Sequence, residues 1–194
     1  VNGKGYSGLG RDESSDFDDM WEYDPSENRW IQLNDFPGGD KLGAVAFVID
    51  EVAYVGLGIG FSASNDKDFY RYNHSNDTWI PLSDFPGVSR NTGVAFSLDG
   101  KGYVGTGSGS FGTGSDFWEY KPANDQWIQR ASVPGLPREG ATGFALQGRG
   151  YIFCGNDWNE DFKDVWEFNP GSNTWQQMDN FPGTARRFMH GFVL

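Results

Sequence analysis

The chain has 194 residues, enough for one sizeable core or for several small repeated units, and a formal net charge of −12. That charge argues against nucleic acid and against an anionic membrane surface, both of which call for clustered Lys and Arg, and it suits solubility or cation binding. A single cysteine leaves no intrachain disulfide and no Cys-rich zinc site, and no run of 18 apolar residues offers a membrane span.

The chain opens at Val1 with neither methionine nor signal peptide, as a mature or trimmed product would. "VNGKGY" (1–6) reads as the second strand of a repeating unit. The phrase "DMWEYDPSENRW" (19–30) then gives an alternating strand, a turn and a further strand. It returns as "DFYRYNHSNDTW" (68–79), "DFWEYKPANDQW" (116–127) and "DVWEFNPGSNTW" (164–175). Trp30, Trp79, Trp127 and Trp175 mark the period at 49, 48 and 48 residues, and Pro37, Pro86, Pro134 and Pro182 keep it. Self-similarity of this length marks a repeat architecture.

The third unit shows the elements most fully. "TGVAFSL" (92–98) is a strand, Asp99-Gly100 a hairpin turn and "KGYVGTG" (101–107) the return strand. "DFWEY" (116–120) is a third strand, "KPAND" a turn and "QWIQRA" (126–131) a fourth. No segment holds a helical period. Four short antiparallel strands per unit predict an all-β chain of four repeats, each a twisted four-stranded blade of a propeller. Trp118 and Tyr120 share one strand face, and Trp127 lies across the turn; these aromatics read as core between blades. Cys154, in "YIFCG", reads as a buried inert thiol.

Four loops between second and third strands differ most: 10–19, 60–68, 109–116 and 155–164. Variation on a fixed scaffold is where specificity resides. Asp12, Ser14 and Asp16, and again Asp157, Asn159 and Asp161, have the alternating spacing with which one loop offers oxygens to calcium, although the glycine and distal glutamate of an EF-hand are missing. The bland alternative is a solvated acidic loop. Lys41, Arg90, Arg138 and Arg186 recur four places after the prolines. Asp19, Asp68, Asp116 and Asp164 recur two places before the third-strand aromatics. Such recurrent charges are either structural or a basic channel mouth for carboxylate or sulfate groups, joined there by His190. His74 falls in the turn "NHSND". No nucleophile elbow, phosphate loop or His-rich metal motif is present.

These spacings resemble the kelch-repeat family along the whole chain. The carriers are the aromatic-x6-Trp pairs Tyr23/Trp30, Tyr72/Trp79, Tyr120/Trp127 and Phe168/Trp175, the Tyr before a Gly-rich strand end (Tyr6, Tyr54, Tyr103, Tyr151), and the basic residue after the repeated Pro. The family's adjacent glycine pair is loosened here to "GLGIG", "GTGSG" and "CGND", which is closer to a bacterial or secreted branch. The resemblance implies a propeller closed by its C-terminal strand. The chain ends "HGFVL", which joined to "VNGKGY" would complete one more unit, so residues 191–194 are expected to pair with residues 3–8. Self-closure as a monomer of four blades is the favoured arrangement for that phase; a fragment of a larger ring, since the family usually has six or seven blades, and a two-chain ring of eight fit it as well.

Function is expected to be that of a non-catalytic module, secreted, on the cell surface or periplasmic, which binds a protein or glycan through the long-loop face. The alternative is a carbohydrate-active enzyme of mutarotase or lyase type, which needs Arg138, Arg186, His190 and an acidic side chain to converge. Copper-radical oxidases share the resemblance, but His74 and Cys154 are misplaced for that chemistry.

Overall fold

A computed structural model describes residues 1–61 and 67–193. Every strand is short and antiparallel, and no helix occurs among the described residues. The first sheet has three strands: β1 (Gly5–Gly8), β2 (Met20–Asp24) and β3 (Arg29–Gln32). The second orders β4 (Val45–Ile49), β5 (Val52–Gly56), β6 (Phe69–Asn73) and β7 (Thr78–Pro81). The third is built from β8 (Val94–Leu98), β9 (Lys101–Gly105), β12 (Phe117–Lys121) and β13 (Gln126–Arg130). Within its long loop β10 (Ser108–Gly109) and β11 (Gly112–Thr113) make a small separate hairpin. The fourth sheet orders β14 (Thr142–Leu146), β15 (Arg149–Phe153), β16 (Val165–Asn169) and β17 (Thr174–Met178).

Local chemistry explains these limits. Asp99-Gly100 and Gln147-Gly148 take positive φ at both residues, which gives tight hairpin turns. Strand β8 begins two residues later than the sequence suggests because Thr92 sits at φ 53°, and β9 stops at Gly105 because Thr106 and Gly107 turn left-handed. Gly107 must be glycine: a Cβ there would strike the backbone of Asn91 and Gly93.

The apolar core lies between successive sheets. Phe47, Tyr54, Phe69 and Phe85 of the second sheet and its exit segment meet Val104 and Tyr120 of the third. Phe96, Tyr103 and Phe117 of the third meet Ile152 and Phe168 of the fourth. Trp118 and Trp127 pack against this core, with the Tyr120 and Trp127 rings 4.9 Å apart. Cys154 is fully buried, and burial pushes its thiol up.

The pairing expected between residues 191–194 and the first strand is not formed within this chain. Residues 189–193 lie outside any strand, and residue 194 is outside the described residues. Among the described strands, none of the fourth sheet touches one of the first. The first sheet therefore stops at three strands, with one edge of β1 unpaired.

Candidate functional site

The recurrent charges divide sharply. Lys41 is fully buried with Nζ 3.0 Å from Asp68 Oδ1. Arg90 grips Asp116 through two bonds of 2.6 and 2.8 Å, and Arg138 grips Asp164 through two of 2.6 and 2.7 Å. Each pair ties the segment entering a sheet to the start of that sheet's third strand. Trp118 and Trp166 donate their indole N–H to the same two carboxylates. Burial opposes ionisation of Asp116 and Asp164, but the arginine bonds and charges outweigh it and both pKa values fall below the ordinary value. Asp68 goes the other way: burial wins over the single ammonium of Lys41 and the pKa rises. Lys41, Arg90 and Arg138 thus hold the scaffold together.

Arg186 differs. It is exposed, its Nε donates to Thr184 O at 2.9 Å, and its guanidinium lies 5.1 Å over the Phe181 ring. No carboxylate pairs with it among the described residues. His190 lines a cavity of about 460 Å³ formed by residues 43–46, 92–95, 140–143 and 188–191. Arg138 is sealed against Asp164 outside that cavity, so the combination of Arg138, Arg186, His190 and an acid does not come together. His74 is remote, 2.9 Å from Asn2.

At the end of the cavity where the inner strands start, a polar cluster assembles that spacing alone does not reveal. Glu139 directly follows Arg138. Its Oε2 accepts from Ser108 Oγ and lies 3.1 Å from Thr92 Oγ1; its Oε1 accepts from Trp158 Nε1 at 2.9 Å. Three segments thereby fix one carboxylate. Asn156 is buried and exchanges backbone hydrogen bonds with Glu139. With its amide turned to suit its neighbours, Asn156 accepts from the Trp158 N–H and from Arg187. Arg187 also faces Asp161 at 3.6 Å. Thr92 at φ 53° and Trp158 at φ 77° are β-branched and bulky residues in left-handed backbone, a strain that only a well-determined surround maintains.

Each long loop presents an exposed aromatic: Phe17 (38% exposed), Phe61 (86%), Phe111 (90%) and Trp158 (60%), the last bonded to Glu139. The loops share a side, since the segments entering the next sheets hydrogen-bond to them, Lys41 N to Phe17 O and Arg186 N to Phe162 O among others. The signal was in the sequence, since every variable loop carries an aromatic and 155–164 carries both Trp158 and Phe162, but Phe17 keeps the register of Phe162, so the repeat comparison passes over Trp158.

The acidic loops are occupied by their own turns. Asp12 Oδ1 accepts from Ser14 N, Ser14 Oγ and Ser15 N at 2.7–3.0 Å, and Asp157 Oδ1 from Asn159 N and Glu160 N at 3.0 Å. Asp16 pairs with Arg11 at 3.1 Å, and Asp161 with Arg187. Among the described residues no three His, Cys, Asp or Glu side chains converge on a metal position.

No protein-family model matches the chain, and neither does any curated protein. A solved structure titled "Structure of YjhT" superposes with a TM-score of 0.79 at 19% identity, covering 95% of this chain. The likeness shows the fold. The chain spans 65% of the length of that YjhT chain.

Proposed function

We propose that the four sheets are blades of a kelch-like propeller and that the long-loop face is a non-catalytic binding surface for a glycan. The observation that carries this reading is that every long loop exposes an aromatic ring, and that one of them, Trp158, is held by the Glu139 cluster. Large apolar rings are exposed to water at a cost, and where they gather on one face they mark interaction sites. An indole face stacks on the C–H face of a sugar ring, while fixed carboxylates, amides and guanidinium groups bond its hydroxyls. Trp158, Glu139 and Arg187 supply the ring and the charged groups, and the buried Asn156 holds Arg187 in place. The reading places the protein on the cell surface, in the periplasm or outside the cell.

The alternative, a carbohydrate-active enzyme of mutarotase or lyase type, draws on the two carboxylates that flank Trp158, Glu139 and Asp161. Turnover of a free sugar by purified protein, abolished by Glu139→Gln, would establish it over the binding reading.

A glycan array followed by calorimetry tests the binding proposal. Trp158→Ala and Phe111→Ala, with unchanged circular dichroism, are expected to weaken the best ligand at least tenfold, about 1.4 kcal/mol. Equal affinity in both variants would overturn the assignment of this face.

A further inference from the structure

The repeat departs from its own rule beside Trp158. Where the chain enters an inner strand, one residue takes left-handed backbone: Gly43 at φ 67°, Thr92 at 53°, Gly140 at 58° and Phe188 at 55°. The backbone of this residue plays one part throughout. Thr92 N donates to Gly43 O, Gly140 N to Thr92 O and Phe188 N to Gly140 O, all at 2.8–3.0 Å. Glycine takes this conformation without strain, and a residue branched at Cβ does not. The turn therefore has no need of a threonine at 92. The preceding residues also bridge in a common register: Leu42 with Ile59, Asn91 with Ser108 and Glu139 with Asn156. In the second sheet both members are apolar; in the third and fourth both are polar. The polar side chains are additions to a turn that forms without them.

These additions converge on one carboxylate. Glu139 Oε2 accepts from the buried Ser108 hydroxyl and from Thr92 Oγ1 at 3.1 Å, and Oε1 accepts from Trp158 Nε1 at 2.9 Å. The Trp158 ring is 60% exposed, yet its N–H is tethered and its backbone is held at φ 77°. A bulky residue keeps such backbone only where its surround over-determines it. Two hydroxyls of the third sheet thus reach, through Glu139, a ring carried by the fourth.

We infer that Thr92 is a positioning residue of the long-loop face. With Ser108 it locks the Glu139 carboxylate, and through it the Trp158 ring, in one orientation. What the ring then stacks on rests on the glycan reading of this face; the lock is a property of the chain alone. A ring fixed in advance loses little freedom when a sugar settles on it, so the strain at Thr92 is returned as affinity.

The repeat supplies a variant suited to the fold. Thr92→Gly places at 92 the residue type of Gly43 and Gly140, and Thr92→Ser keeps the hydroxyl. With 5-fluorotryptophan incorporated, the fluorine resonance of Trp158 is identified by its loss in Trp158→Ala. It is expected to move toward the free-indole position in Thr92→Gly and in Ser108→Ala, each with unchanged circular dichroism, and to stay in place in Thr92→Ser. For binding, the probe is the array glycan that the unmodified chain holds most tightly. Thr92→Gly should weaken it severalfold, Thr92→Ser should restore most of the loss, and Thr92→Gly should add nothing in a Glu139→Leu background, since a residue that acts only through Glu139 has no effect without it. A Trp158 resonance unmoved by both Thr92→Gly and Ser108→Ala overturns the inference. So do losses that add in the double variant, which would mean that Thr92 touches the sugar itself. If no glycan binds the unmodified chain, the glycan reading falls, and the resonance alone decides on the lock.

Discussion

At the scale of single residues, the contrast between lysine and arginine decides how the recurrent aspartates titrate. A bidentate guanidinium draws the pKa of Asp116 and Asp164 down against burial; beside the ammonium of Lys41, burial still raises that of Asp68. Carboxyl carbon NMR should therefore show Asp116 and Asp164 titrating below the ordinary aspartate value of 3.8 and Asp68 above it. A depressed pKa contributes stability at pH above the unfolded value, and this is lost as the pH falls through the folded value. Acid should thus weaken the third and fourth sheets through Asp116 and Asp164. Asp68 has the opposite sign: its contribution is full at low pH and disappears as the pH rises through its raised pKa. The reverse order of titration would refute the account. The acidic loops carry a second residue-level prediction. Because Asp12 and Asp157 already cap their own turns, millimolar calcium should leave the melting temperature unchanged, whereas a chelator-reversible rise of several degrees would locate an ion there.

Individual elements draw their stability from what lies on both faces. Phe117 on β12 touches Phe96, Tyr103, Phe168 and Trp175, so it links the third sheet to the fourth. Phe117→Ala should cost about 3–5 kcal/mol, read from urea denaturation, because a fully buried ring leaves a cavity between two sheets that cannot easily close. A polar device recurs beside it. Tyr103 donates to Glu119 at 2.8 Å, Tyr6 to Glu22 and Tyr151 to Glu167, always between the second and third strands. Glu119 is fully buried and also takes Arg130 at 2.7 Å; burial resists its charge, but Arg130 and Tyr103 prevail and its pKa falls. Glu119→Ala should cost about 1–3 kcal/mol, chiefly by orphaning the buried Tyr103 hydroxyl. In the second sheet Arg71 stands opposite Tyr54 instead of a glutamate, which the "YRY" in place of "WEY" already shows.

For the whole molecule, sheets that pack on their neighbours should protect their amides unevenly. Amide exchange is expected to be slowest in β5, β8 and β9, which lie between packed sheets, and fastest in the outer strands β3 and β17. Protection of β17 as strong as that of β9 would overturn this gradient.

The sequence by itself determined the period, the hairpin turns, the order of strands within each sheet and the all-β class. These depend on alternation, on glycine and asparagine turns, and on neighbours within about ten residues, so they are written locally. It also carried the recurrent Lys41, Arg90 and Arg138, but as free cations they were as plausible as the ion pairs they form, since their partners lie 26 or 27 residues on. Only the tertiary structure decided that these cations are buried with aspartates, that Glu139, Asn156, Trp158 and Arg187 meet, and that Phe192 does not reach Tyr6 in its own chain. The reason is geometric. The rotation from each sheet to the next comes from the packing of many side chains together, and no local pattern encodes it. Small differences in that rotation settle which loop tips converge and whether the two ends of the row meet.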